Sequence, residues 1–241
     1  MLNNDLNIRK KTSYKSIGPT GIPEGFILDS PSKSELGAEG WKNHMWQNFS
    51  YTYNEDGFRT TFPYTNSGII AIGDSFTEHH GGPEEEQWTQ HIHGPGTKTP
   101  MDAIVMVPKI DVINLGMDGA GNDTIADIVE WGVNKFKPHT VLIMFSFLHR
   151  WNDNGELKAD DTNDERCRER MLFNFNRIVE YTKGLKLIYS FIPDRLVSNN
   201  EWINEHFPDR IKYRQTDYAR DGVHFGYDTV RSIGDLFSRA L

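Results

Sequence analysis

The chain has 241 residues, 37% apolar and 12% aromatic, enough for one large domain, or one domain with an appendage, around a sizeable core. Its 26 Lys and Arg against 34 Asp and Glu leave a formal charge of −8, which excludes the broad basic field that nucleic acid or an anionic membrane surface would need. The single cysteine, Cys167, excludes an internal disulfide, and no apolar run approaches the length of a membrane span.

The N-terminal "MLNNDLNIRKK" carries no apolar stretch of the signal-peptide kind. No signal peptide or membrane insertion is expected, which fits a cytoplasmic or a virus-encoded protein equally. Residues 1–67 are rich in Gly, Pro, Asn and Ser and show no sustained helical period. They nevertheless hold Trp41, Trp46, Phe49, Tyr51, Tyr53, Phe58 and Phe62, too many rings for a disordered tail. They are expected to form an irregular, aromatic-rich extension packed on a core of residues 68–241.

From residue 68 four short apolar runs follow: "GIIAIG" (68–73), "KIDVINLG" (109–116), "TVLIMFSF" (140–147) and "KLIYSFIP" (186–193). Near-continuous apolar character over strand length predicts burial on both faces, as in a parallel sheet covered by helices. Helical periodicity lies between and after them. Asn122 or Asp123 is a candidate cap for a helix to about Lys135, with Ile125, Ile128, Val129 and Phe136 inward. A second helix spans about 163–183 with Met171, Leu172, Phe175, Ile178 and Val179 inward, stopped by Gly184. A third, about 228–241, places Val230, Ile233, Phe237 and Leu241 on one stripe. Strands alternating with helices give an α/β three-layer sandwich with a central parallel sheet, whose ligands bind at the carboxyl ends of the strands.

Ser75 stands at such an end, in "IIAIGDSFTEHHG" (69–81), where a helix is expected to begin. A bare serine needs a base within hydrogen-bond reach, itself oriented by a third group. "YARDGVHFG" (218–226) offers both: Asp221 and His224 lie three apart just before the last helix. His224 would take the proton of Ser75, and Asp221 would orient the imidazole. The competing reading of Ser75 is a turn or cap serine.

"IIAIGDSFTE", "VINLGMDGAGND" and "DGVHFG", in this order, resemble blocks I, II and V of the SGNH/GDSL hydrolases, and "YNEDGFRT" (53–60) resembles a segment that precedes block I in a subset of them. The resemblance implies a flavodoxin-like α/β/α fold and ester hydrolysis without metal or other cofactor, with Ser75 as nucleophile, His224 as base and Asp221 as its orienter. It further implies an oxyanion hole formed by the backbone N–H groups of Ser75 and Gly119. The family's third donor, an Asn in a G-x-N-D block, has no counterpart in register. Leu148 stands there, Asn152 comes four residues late, and Asn122 of "AGND" belongs to block II as a helix cap. Ser146 and Arg150, polar residues at the end of the third strand, are the candidate replacements.

The expected function is therefore a serine esterase cleaving a small acyl ester. O-acetyl groups on carbohydrate are the first guess, with Trp41 and Trp46 as possible sugar-stacking surfaces. The alternative is a catalytically weak or inactive binding module on the same fold. A flavin- or nucleotide-binding protein is disfavoured, since no Gly-rich phosphate loop follows the first strand. The histidines of "EHH" (78–80) and "HIH" (91–93) lack zinc spacing, and no metal site is expected. The acidic run "PEEEQW" (83–88) reads as the first turn of a helix.

Overall fold

The computed structural model describes residues 26–29, 49–52, 56–59, 68–79, 82, 87–93, 110–153, 156–158, 163–194, 196–219 and 223–241. Among them, four parallel strands form the central sheet: β3 (Ile69–Gly73), β4 (Ile113–Gly116), β5 (Thr140–Phe145) and β8 (Lys186–Phe191). Their spatial order is β4-β3-β5-β8, with Ile70 opposite both Ile113 and Val141, and Val141 opposite Leu187. Counted along the chain the order is second, first, third, fourth, the flavodoxin-like winding. The winding reverses direction across the sheet between β3 and β5, and the carboxyl ends at such a switch point are where sheets of this class bind ligands.

Strand alternation divides the core into two layers. Ile70 and Ile72 of β3, with Val141, Ile143 and Phe145 of β5, face helices α2 (Asn122–Phe136) and α3 (Asp164–Tyr181). Ile69, Ala71, Leu142 and Met144 face the other way, onto a short 3₁₀ turn (Trp88–His91) and the last helix, α5 (Tyr227–Ala240). Helices thus cover both faces, as the apolar runs require, and the α/β/α sandwich is present.

The strands end earlier than the apolar runs suggest. Residues 110–112 precede β4 outside the main sheet, with the Ile110 N–H donating to the Ile92 carbonyl at 3.2 Å, and β5 stops at Phe145 because the Ser146 N–H donates to the Asn122 side chain rather than to a neighbouring strand. In α3, Met171 and Ile178 are buried and Phe175 partly so, but Leu172 and Val179 are exposed. The inward stripe runs through Cys167, Met171, Asn174 and Ile178, so two apolar residues expected inside lie on its outer edge. Asn122 and Asp123 do not cap α2. Gly121 holds the cap position without a side-chain bond, and both residues turn their side chains to other segments.

Helix α4 (Val197–His206) was not visible in the sequence pattern. It buries Asn199 and Ile203 and leaves Val197 exposed, so it lacks an apolar stripe. Two antiparallel pairs lie outside the main sheet: β1 (Phe26–Asp29) with β2 (Phe49–Thr52), inside the segment expected to be irregular, and β6 (Trp151–Asp153) with β7 (Glu156–Lys158). Nearby, Phe58 and Arg59 are buried, and Phe58 packs 5.4 Å from Trp131. Trp41, Trp46 and residues 83–86 lie outside the described residues, and Gln87 is the cap of the 3₁₀ turn. No helix among the described residues is long and apolar enough to cross a membrane.

Candidate active site

The turn after β3 is built by Gly73 and Asp74. A side chain at 73 has no room: a methyl there would sit 2.1 Å from Thr77 Oγ1 and 2.8 Å from the Met144 carbonyl of the neighbouring strand. Asp74 is the N-cap of α1 (Ser75–Glu78), and its Oδ1 accepts the Phe76 N–H at 3.0 Å. The cap role thus falls to Asp74, and Ser75 is the first helical residue, its hydroxyl free for another use. Ser75 Oγ lies 2.8 Å from His224 Nε2, across 149 positions of sequence.

His224 is held from both sides of the chain. Its carbonyl accepts the Ala219 N–H at 2.8 Å, and Tyr218 and Phe225 form an antiparallel bridge. The imidazole leans on the Phe76 ring, with centroids 4.6 Å apart, and Phe76 also packs against the buried Phe225. Asp217 accepts the N–H groups of Asp228 and Thr229 at the start of α5, at 2.9 and 2.8 Å, and the Thr229 hydroxyl at 2.5 Å. A residue ten positions upstream therefore does the work of a cap for a helix whose own cap, Gly226, has no side chain. Asp221 lies outside the described residues.

The 117–121 turn after β4 carries the candidate oxyanion donor. Five consecutive N–H groups can be followed there. Met117 donates to Gly73 O at 2.9 Å, Asp118 to Glu78 Oε2, Ala120 to Met117 O at 3.1 Å, and Gly121 to Asn152 Oδ1 at 2.6 Å. Only the N–H of Gly119 has no acceptor among the described residues. Gly119 has φ +70°, the left-handed conformation that glycine adopts without strain. The Ser75 N–H, at the start of α1, likewise has no acceptor among them.

Ser146 and Arg150 both turn to Asp74. The Ser146 hydroxyl donates to Asp74 Oδ2 at 2.6 Å, and Arg150 Nη1 donates to the same oxygen at 3.1 Å, with its guanidinium 5.0 Å above the Phe147 ring. Burial pushes the Asp74 carboxyl above its ordinary value, and the charge of Arg150, the Ser146 hydroxyl, the Phe76 N–H and His224 pull it back in part. The phenol of the half-buried Tyr213 is driven well above its usual value, first by desolvation and then by the Asp74 charge.

Asn152, four residues beyond the expected register, does reach this region. Its Oδ1 accepts the Gly121 N–H and the Thr124 hydroxyl, each at 2.6 Å, while its Nδ2 donates to Gly119 O at 3.3 Å. Asn122 instead pins the end of β5, donating to the carbonyls of Ser146 and Phe147 at 3.2 Å each. Sequence reasoning passed over Glu78 and Asp74 as site residues. The signal was present in the run "GDSFTE", where two carboxylates flank a serine inside an otherwise apolar context. Among the described residues, no group of three or more His, Cys, Asp or Glu is placed to hold a metal.

The sequence matches no protein-family model and no curated protein. In structure the chain is similar to a G-D-S-L-family protein from Desulfitobacterium hafniense (18% identity over 72% of this chain and 98% of that one, TM-score 0.47). It is also similar to a family 3 carbohydrate esterase from Clostridium thermocellum (17% identity, 70% of this chain and 92% of that one, TM-score 0.43). A third similar structure is a lipase/acylhydrolase from Enterococcus faecalis (18% identity, 71% of this chain and 94% of that one, TM-score 0.42).

Proposed function

We propose that the chain is a serine ester hydrolase working through a covalent acyl-enzyme. The observation that carries this reading is the 2.8 Å contact of Ser75 Oγ with His224 Nε2 at the carboxyl end of β3. His224 Nε2 takes the hydroxyl proton as Ser75 Oγ attacks the ester carbonyl carbon, forming the C–O bond of a tetrahedral intermediate. The negative oxygen is received by the N–H groups of Ser75 and Gly119, which have no acceptor among the described residues. As the intermediate collapses, the bond to the leaving alcohol breaks and His224 returns the proton to that oxygen. Water, deprotonated by His224, then attacks the acyl carbon; the bond to Ser75 Oγ breaks, His224 returns the proton to that oxygen, and the acid is released. Asp221 is assigned to orient His224 on the strength of the Asp-x-x-His motif.

Ser146 and Arg150 are assigned to the site through Asp74. They neutralise and hydrogen-bond the carboxylate that caps the nucleophile helix, which supports a role in keeping the Ser75 turn in place. A small acyl group, acetyl on carbohydrate in the first instance, is the substrate that the motif resemblance suggests.

The test is hydrolysis of p-nitrophenyl acetate by the wild-type protein and by Ser75→Ala, with and without a chelator. Wild-type turnover that falls by at least about a thousandfold in the variant is expected. Equal turnover in both proteins would remove Ser75 as nucleophile, and loss on chelation would point to a metal-dependent reaction instead.

A further inference from the structure

The peptide that carries the Gly119 N–H is flanked on both sides by backbone groups that side chains of two different elements hold. On one side, Glu78, at the end of the one-turn helix that begins with Ser75, is 1% exposed and accepts the N–H of Asp118. On the other, Asn152 of β6 takes the Gly121 N–H with its oxygen and reaches the Gly119 carbonyl with its amide. Asn152 is itself fixed: its backbone N–H lies 3.1 and 3.0 Å from the two carboxylate oxygens of Asp123, and its Oδ1 accepts the Thr124 hydroxyl, both at the start of α2.

Glu78 is anchored just as firmly. Arg59, 1% exposed, donates Nη1 to the carbonyls of Glu78 and His79 and Nη2 to that of Gly82, at 3.1, 2.5 and 2.9 Å. Gly116 lets β4 press against this helix, since a methyl group there would lie 2.4 Å from the Glu78 nitrogen.

From this geometry we infer that Glu78 and Asn152 are positioning residues that together fix the direction of the Gly119 N–H. This rests on the reading of the Gly119 N–H as an oxyanion donor. A donor that must be in place before charge develops gains from a peptide that cannot rotate, because no reorganisation is then needed at the moment of reaction. The residue type fits each task. An acceptor-only carboxylate suits the single N–H of Asp118, whereas holding a carbonyl on one side of a peptide and an N–H two residues on needs a group that donates and accepts. Asn152 thus supports the donor site without itself facing the oxyanion.

The test compares p-nitrophenyl acetate with its thiono analogue, in which sulfur replaces the carbonyl oxygen, using the full chain. A thiolate-like intermediate is large and diffuse and gains less from N–H donors, so a displaced Gly119 N–H harms the oxygen ester more. Asn152→Ala and Glu78→Ala are expected to lower kcat on the oxygen ester by roughly 10- to 100-fold, less than outright loss of a donor. KM should stay within about threefold, and the oxygen-to-sulfur rate ratio should fall about tenfold. Glu78→Gln keeps an acceptor and should restore most of the ratio. Thr124→Val, which removes only one of the ties on Asn152, should give an intermediate loss in a protein with its fold undisturbed. Parallel losses on both esters, or full activity in the variants, would overturn the inference while leaving the Ser75 reading standing. A wild-type protein that turns over neither ester would overturn both.

Discussion

Asp74 is fully buried beside Ser75, yet its carboxylate collects the Phe76 N–H, the Ser146 hydroxyl and the Arg150 guanidinium. Desolvation outweighs these partners, so the folded-state carboxyl binds its proton more tightly than an ordinary aspartate of pKa 3.8. The sign follows from linkage. With the folded value above the unfolded one, folding takes up a proton in the window between them. Stability from this group is therefore greatest at low pH and falls as pH rises through the window above 3.8. Subtracting the unfolding free energy of Asp74→Asn from that of the wild type, from about pH 4 to about pH 7, should give a difference that declines with pH. A flat or rising difference would contradict the direction. The Ser75–His224 contact was legible because the two residues stand in a pair of motifs at fixed places in the chain. The surroundings of Asp74 were not, because Ser146 and Arg150 meet it only where β3 and β5 lie side by side.

At the scale of elements, the segment before α5 shows how His224 is held. Asp217 takes two N–H groups and a hydroxyl at the start of that helix, and Gly226 leaves space for it, since a methyl there would lie 2.4 Å from Asp217 Oδ2. Asp217→Ala leaves those helix N–H groups without their acceptor and should cost about 1 kcal/mol of stability, the usual worth of a cap. Denaturant unfolding measures that loss, and an unchanged midpoint would show the helix start to be held by something else. The four strands of the sheet and the helices α2, α3 and α5 were legible because each buries a periodic apolar set. Helix α4 was not, because Ile203 is its one buried apolar residue and nothing in its pattern repeats. Asn122 was misread for a related reason. Its polar side chain at a helix start looks like a cap in sequence, and only the neighbouring β5 offers the carbonyls and the N–H that it takes instead.

Over the whole molecule, the two core layers make the sheet a rigid platform and leave its carboxyl edge for chemistry. Phe237 shows what the second layer contributes: it is fully buried, stacks 4.7 Å from Trp88, and helps to hold α5 against the sheet. Phe237→Ala should destabilise the protein by about 3–5 kcal/mol, the range for emptying a large aromatic site. A loss below about 1 kcal/mol in chemical denaturation would mean that the layer collapses to fill the space. The amino-acid sequence by itself determined the class of fold and the Ser75–His224 pairing, because hydrophobic periodicity and motif spacing are properties of the chain in one dimension. Only the tertiary structure decided which polar groups serve them: Asp74 with Ser146 and Arg150, Glu78 with Asp118, and Asn152 with Gly119 and Gly121. Those partners are brought together by the parallel winding of the sheet. A hydrogen bond depends on positions in space to within a few tenths of an ångström, and no spacing along the chain specifies that.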